Sequence, residues 1–99
     1  MPTYILVTKL SAEIMKDLKR RAEIGQQWHE QVKKNCPGVK FLAHYALLGQ
    51  YDFLDIFEAA DEEEAAKVSL ISLANGATHA ESWTAIPYKR FLEIVKGLK

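Results

Sequence analysis

The chain has 99 residues, 48% of them hydrophobic and 26% charged, the size and mix of one soluble globular domain spanning residues 1–99. Thirteen basic and thirteen acidic residues cancel to zero formal charge, which argues against a nucleic-acid partner, since such binders carry a basic surplus. The lone cysteine, Cys36, excludes an internal disulfide. The opening lacks a signal peptide's features and no run approaches the ~18 apolar residues of a membrane span, so a cytoplasmic protein with no membrane contact is expected.

Residues 3–9 predict the first strand: Tyr4, Ile5, Val7 and Thr8 are strand formers. Ser11 follows as a helix N-cap, with Glu13 placed to complement the helix dipole. From residue 12 to about 35 there is no proline, and Ile14, Leu18, Ala22, Gly25, Trp28 or His29, and Val32 recur at steps of three and four. That spacing predicts one long amphipathic helix. Its small residues Ala22 and Gly25 are read as allowing close approach to a sheet, and Cys36-Pro37-Gly38 ends it.

Residues 40–48 and 53–59 are two strand-like runs joined by Gly49-Gln50-Tyr51-Asp52. Glycine reaches positive φ cheaply and aspartate bonds nearby backbone, so the connector reads as a hairpin turn. Asp61 and Glu64 outline a capping box for a second helix carrying Ala65, Val68, Leu70, Ile71 and Leu73, which stops at Asn75-Gly76. Residues 78–86 predict a fourth, edge-type strand closed by Pro87, and residues 88–98 a last short helix with Phe91, Leu92, Ile94, Val95 and Leu98 along one stripe.

The order β-α-β-β-α-β plus a terminal helix is the split βαβ arrangement, an α+β ferredoxin-like domain with a four-stranded antiparallel sheet and both helices on one face. Pairing Leu48 with Phe53 puts Phe41, Ala43, Tyr45, Leu47, Leu54 and Ile56 on one side, and this nearly all-apolar set is assigned to the helices. Ile5 and Val7 join it. Leu42, His44, Ala46, Leu48, Phe53, Asp55 and Phe57 then fall on the bare face with Tyr4, Leu6 and Thr8. The fourth strand offers the bare face His79, Glu81 and Trp83 in one parity and Ala80, Ser82 and Thr84 in the other.

Pro2-Thr3-Tyr4-Ile5, the run from Ala46 through Gly49-Gln50-Tyr51-Asp52, Glu58-Ala59 and Ala85-Ile86-Pro87 resemble the GYD-domain family over nearly the whole chain. The family's motif positions fall on Gly49, Tyr51 and Asp52. The resemblance implies the dimeric α+β barrel type of the fold, in which two sheets meet face to face, and implies no agreed catalytic residues. Asp55, Glu81 and Trp83 depart from the family pattern.

A carboxylate beside an imidazole orients it and raises its pKa, so His44 with Asp55 is the sharpest chemical candidate. The leading expectation is a homodimer that binds a small apolar or aromatic molecule on the dimer-facing side of the sheet, lined by Tyr4, His44, Asp55, Phe57 and Trp83. The alternatives are a cofactor-free oxygenase or isomerase, with His44 as acid–base group and Asp55 as its orienter, or a structural or regulatory self-association module. His29, His44 and His79 lie on separate segments without metal-ligand spacing, and no phosphate-binding or nucleophile motif occurs, so neither metal nor cofactor is expected. Gly49-Gln50-Tyr51-Asp52 is read as a structural turn, with Asp52 bonding backbone amides and Tyr51 packing against a partner subunit.

Overall fold

Alternating strand formers and capped helical segments give the element order β1 (Thr3–Leu10), α1 (Ala12–Lys16), α2 (Arg21–Asn35), β2 (Lys40–Ala46), β3 (Phe53–Glu58), α3 (Glu62–Ala74), β4 (Ala77–Ala85) and α4 (Tyr88–Gly97). The computed structural model describes residues 1–98. The strands form one sheet in the order β2-β3-β1-β4, antiparallel at every junction. This is a ferredoxin-like α+β fold, with helices packed on one side of the sheet.

Two caps set the helix starts. The Ser11 hydroxyl accepts from the Ile14 amide, and the Asp61 carboxylate accepts from the Glu64 amide while Glu64 reaches back to the Ala60 amide. The long helix expected over residues 12–35 is instead two. After α1 the chain turns at Asp17, whose carboxylate accepts from the Arg20 amide, and the Arg21 guanidinium donates twice to the Met15 carbonyl, at 3.1 and 2.9 Å. These side chains satisfy the backbone at the break, so the ladder need not continue. Leu18 sits in the break at 73% exposure and does not join the apolar stripe that its spacing implied.

The core lies between the sheet and α2 and α3. Tyr4, Leu6, Val32, Cys36, Phe57, Ala59, Ala65 and Val68 form its buried cluster, with Trp28, Phe41 and Ile71 packed against it. Directly paired residues share a face, so the pairs Tyr4↔Phe57, Leu6↔Asp55 and Thr8↔Phe53 put that whole row under the helices. On β4, the pairs Leu6↔Ser82 and Thr8↔Ala80 settle the parity. Ala80, Ser82 and Thr84 face the helices, and His79, Glu81 and Trp83 face away.

This inverts the expected assignment of faces. Ile5, Val7, Ala43, Tyr45, Leu54 and Ile56, expected under the helices, share the open face with Trp83. Tyr4, Leu6, Thr8, His44, Phe53, Asp55 and Phe57, expected on the bare face, look toward α2 and α3. Phe41 alone of the apolar set stays on the helix side. Phe41 is the exception because of a register shift between Phe41 and Ala43: Leu42 is the extra residue of a bulge, and one inserted residue moves the side chains before it to the other face. The pairing also differs, His44 standing opposite Asp55 rather than Phe57.

Candidate functional site

Between α2 and the β1–β3–β2 side of the sheet the packing is incomplete. Trp28, from α2, reaches toward α3 and donates its indole N–H to the Ser72 hydroxyl at 2.8 Å. Nearer the start of α2 the residues are small, Ala22 and Gly25, and leave a cavity of about 270 Å³ facing Thr8, His44, Phe53 and Asp55. A Cβ built on Gly25 would meet nothing within 4 Å. Gly25 therefore does not serve close helix–sheet approach, as its spacing implied; it opens space. A second hollow of about 310 Å³, edged by His29 and Phe41, shares Gly25, Trp28, His44 and Asp55 with the first.

The His44–Asp55 pair stands where the two hollows meet. Nδ1 of His44 is hydrogen-bonded to Oδ1 of Asp55. The Asp55 side chain is 4% exposed and that of His44 59%. The carboxylate thus forms the floor, and the imidazole leans out with its far nitrogen, Nε2, unclaimed among the described residues. Its ring lies nearly parallel to Phe53, with centroids 5.7 Å apart at 10°, and faces Trp28 at 6.5 Å and 26°. Stacking on two rings and a hydrogen bond to a buried carboxylate fix the imidazole in plane and rotation.

Burial pushes the Asp55 carboxyl above its ordinary pKa, and the hydrogen bond from His44 opposes that rise without cancelling it. The site therefore holds an ionisable pair in a largely apolar wall. It can accept or donate a proton at Nε2, and it can stack a planar ligand against Trp28 or Phe53. Arg21 lines the cavity too, but its guanidinium is engaged by the Met15 carbonyl. Among the described residues, no three His, Cys, Asp or Glu side chains group as metal ligands would.

The remaining residues singled out by sequence are placed elsewhere. Tyr4 and Phe57 stack on each other at 5.6 Å inside the buried cluster and do not line the cavity. Trp83 is on the opposite face of the sheet, so the five expected lining residues are not one site. Trp28, Phe53 and Gly25 are the lining residues that sequence reasoning missed. Trp28 was legible only as part of an apolar stripe, and Gly25 carried a signal in its low helix propensity inside a helical pattern.

The Gly49–Asp52 connector is bound to the end of β1. Asp52 Oδ2 accepts from the Leu10 amide, and the Asp52 amide donates to the Thr8 carbonyl, both at 2.8 Å. Tyr51 crosses the open face over β1 to β4, where its hydroxyl donates to Glu81 at 2.6 Å. Glu81 also accepts from His79 Nε2 at 2.6 Å and from Trp83 Nε1 at 3.2 Å. These three hydrogen bonds, from Tyr51 first, hold the Glu81 carboxyl down at about 2, and the Tyr51 phenol is raised in return. With its acceptor sites occupied from within the chain, this cluster ties the connector to the sheet edge.

The fold and this cavity define the class: a small ferredoxin-like α+β domain with an apolar hollow between helices and sheet. The match of the GYD domain to residues 4–95 is more specific, and the chain belongs to the GYD domain family. It is 30% identical over 87 residues to the glutamine synthetase and cystathionine beta-lyase binding protein of Thermus thermophilus, covering 88% of this chain and 90% of that one. Its fold is similar to the crystal structure of FFRP-DM1, with TM-score 0.56 and 17% identity, covering 87% of this chain and 100% of that one. A hypothetical protein, PHS023 from Pyrococcus horikoshii, is similar at TM-score 0.52 and 18% identity, covering 88% and 92%.

Proposed function

We propose that this chain is a binding protein that seats a small apolar or aromatic molecule in the cavity beside His44 and Asp55. The observation that carries the reading is the hollow itself: about 270 Å³, with a mostly apolar surface and one oriented His–Asp pair at its floor. Ligand sites combine apolar walls with a few convergent polar groups, and this volume, just under the usual range, fits a molecule of one or two rings. The site lies on the helix-covered side of the sheet rather than the dimer-facing side. The same geometry would serve an enzyme in which Nε2 of His44 moves a proton and Asp55 orients the ring.

Thermal-shift and fluorescence titrations with indole, phenol and 2-naphthol test the reading in the wild type and in Gly25→Phe, whose ring occupies the cavity. Saturable binding that Gly25→Phe abolishes supports it. Absence of binding, or binding that Gly25→Phe leaves unchanged, sinks it.

A second reading is a protein-binding adapter that works as a homodimer. The relative's name describes binding to two enzymes, and the open sheet face presents Tyr45 and Trp83 to solvent, the kind of apolar surface that marks interfaces. Two such faces meeting across a two-fold axis would give the dimeric barrel. The buried free thiol of Cys36 suits a reducing, cytoplasmic setting. Among the described residues no helix is long and apolar enough to cross a membrane. Pull-down of purified glutamine synthetase, with and without Trp83→Ala, tests the adapter reading; no capture by the wild type would end it.

A further inference from the structure

Helix α4 is built to be buried and is not. Tyr88, Phe91, Leu92, Ile94, Val95 and Leu98 are all 38–73% exposed, and no residue of α4 is buried. Five of the six fall at i, i+3, i+4, i+7 and i+10 from Tyr88, a continuous stripe with Ile94 at its edge. A helix of ten residues is not stable by itself in water and needs tertiary packing of such a stripe. We infer that α4 is an arm that docks on a second copy of this chain, along the outer stripe of that copy's α3.

Three observations choose that occupant. Area is the first. At about 200 Å² per large side chain, the observed exposures amount to roughly 600 Å² of apolar surface per arm. Two arms exchanged across a two-fold axis supply roughly 1,200 Å² before the receiving surfaces are counted, already the threshold of a stable interface.

The second is a matching stripe on the same chain. Ala66, Leu70 and Leu73 lie at i, i+4 and i+7 on the outside of α3, with Leu70 63% and Leu73 44% exposed. An apolar stripe on one helix packs into the grooves of another.

Charge is the third. α4 carries Lys89, Arg90 and Lys96 against Glu93, whereas α3 opens on Asp61, Glu62, Glu63 and Glu64. Asp61 and Glu64 are used in the cap, leaving Glu62 and Glu63 exposed beside Ala66. Opposite charges at the rims of two apolar stripes fix partner and register. In the chain's own body both stripes are uncovered, though β4 delivers α4 to the end of the sheet where α3 begins. This inference does not rest on the cavity reading.

A mixed-label paramagnetic experiment tests it. A nitroxide is placed on Lys67→Cys in unlabelled copies, while Cys36, buried, stays unmodified; these are mixed with ¹⁵N-labelled wild type. Selective broadening of the amides of residues 88–98 in the wild-type copies is expected. Phe91→Asp/Val95→Asp should abolish that broadening and weaken self-association by about 100-fold in sedimentation equilibrium, with near-ultraviolet dichroism of the body unchanged. Broadening seen only when one chain carries both labels would mean that α4 packs on its own α3, and overturns the inference. So does a self-associated protein whose α4 amides stay sharp in the mixed sample, or a wild type that remains monomeric at millimolar concentration.

Discussion

Replacing His44 by alanine removes the hydrogen-bond partner that the Asp55 carboxylate has among the described residues, and leaves that carboxylate on the floor of an apolar cavity at 3% exposure. A hydrogen bond to a charged group contributes about 1.5–3 kcal/mol. The stacked contacts with Phe53 and Trp28 add about 0.5–1.5 kcal/mol each, less for a ring that is partly exposed. Water entering the vacated space recovers part of the loss. His44→Ala should therefore cost about 2–4 kcal/mol, a serious fraction of the ~5–15 kcal/mol stability of a domain, and lower Tm by roughly 10 °C or more.

The cost should depend on pH. Burial raises the Asp55 pKa, so the folded state holds this proton more tightly than the unfolded chain. The penalty of the unpaired carboxylate is then fully present above the folded pKa and disappears as pH falls through it. Urea denaturation of wild type, His44→Ala, Asp55→Asn and the double variant, at several pH values, reads both effects. A double-mutant cycle should return a coupling of about 1–3 kcal/mol at neutral pH. A coupling below ~0.3 kcal/mol, or a cost that does not shrink on acidification, would refute the argument that the pair is what makes Asp55 tolerable in the wall.

Three further outcomes follow from other positions. Gly25→Ala meets nothing within 4 Å, so calorimetric Tm should rise with a gain of about 0.5–1 kcal/mol from helix propensity alone. Gly76 has φ +100°, and a Cβ there would strike Ile14 Cδ1 at 2.0 Å; Gly76→Ala should lose about 1–3 kcal/mol in chemical denaturation. Glu81 titrates at about 2 because Tyr51, His79 and Trp83 donate to it, so its contribution to stability is present above its ordinary value of 4.5 and is lost as pH falls toward 2. In Tyr51→Phe the Glu81 carboxyl midpoint, followed by carbon NMR, should move up toward the ordinary value; an unmoved midpoint would remove Tyr51 as the main cause.

Sequence pattern carried the strand order, the hairpin, both caps and the terminal helix, because each rests on local chemistry that tertiary contacts reinforce. Gly49-Gln50-Tyr51-Asp52 reads as a turn from its residue types, but Gly49 does not take the positive φ expected of it, and the Asp52 carboxylate accepts one amide, that of Leu10 at the end of β1. The choice of face was not legible. Alternation rightly groups His44, Ala46, Phe53, Asp55 and Phe57 on one face, but it assigns the row with fewer polar groups to the helices. In the fold, that row is the open face. Polar members of the helix-facing row are tolerated where they pair: His44 with Asp55 on neighbouring strands, and Ser82 with Ser69 of α3. Periodicity also cannot see a bulge at Leu42 or a helix break at Asp17, since both are settled by hydrogen bonds between side chain and backbone or by the neighbouring strand.

The chain has two tryptophans, and they lie on opposite sides of the sheet, Trp28 at the cavity and Trp83 on the open face. Their two indole N–H resonances, followed by ¹H–¹⁵N NMR during titration with 2-naphthol, test most directly whether the cavity is the ligand site. A saturable shift of the Trp28 resonance with Trp83 unmoved is the predicted result. A shift confined to Trp83, or no shift at either, would contradict it.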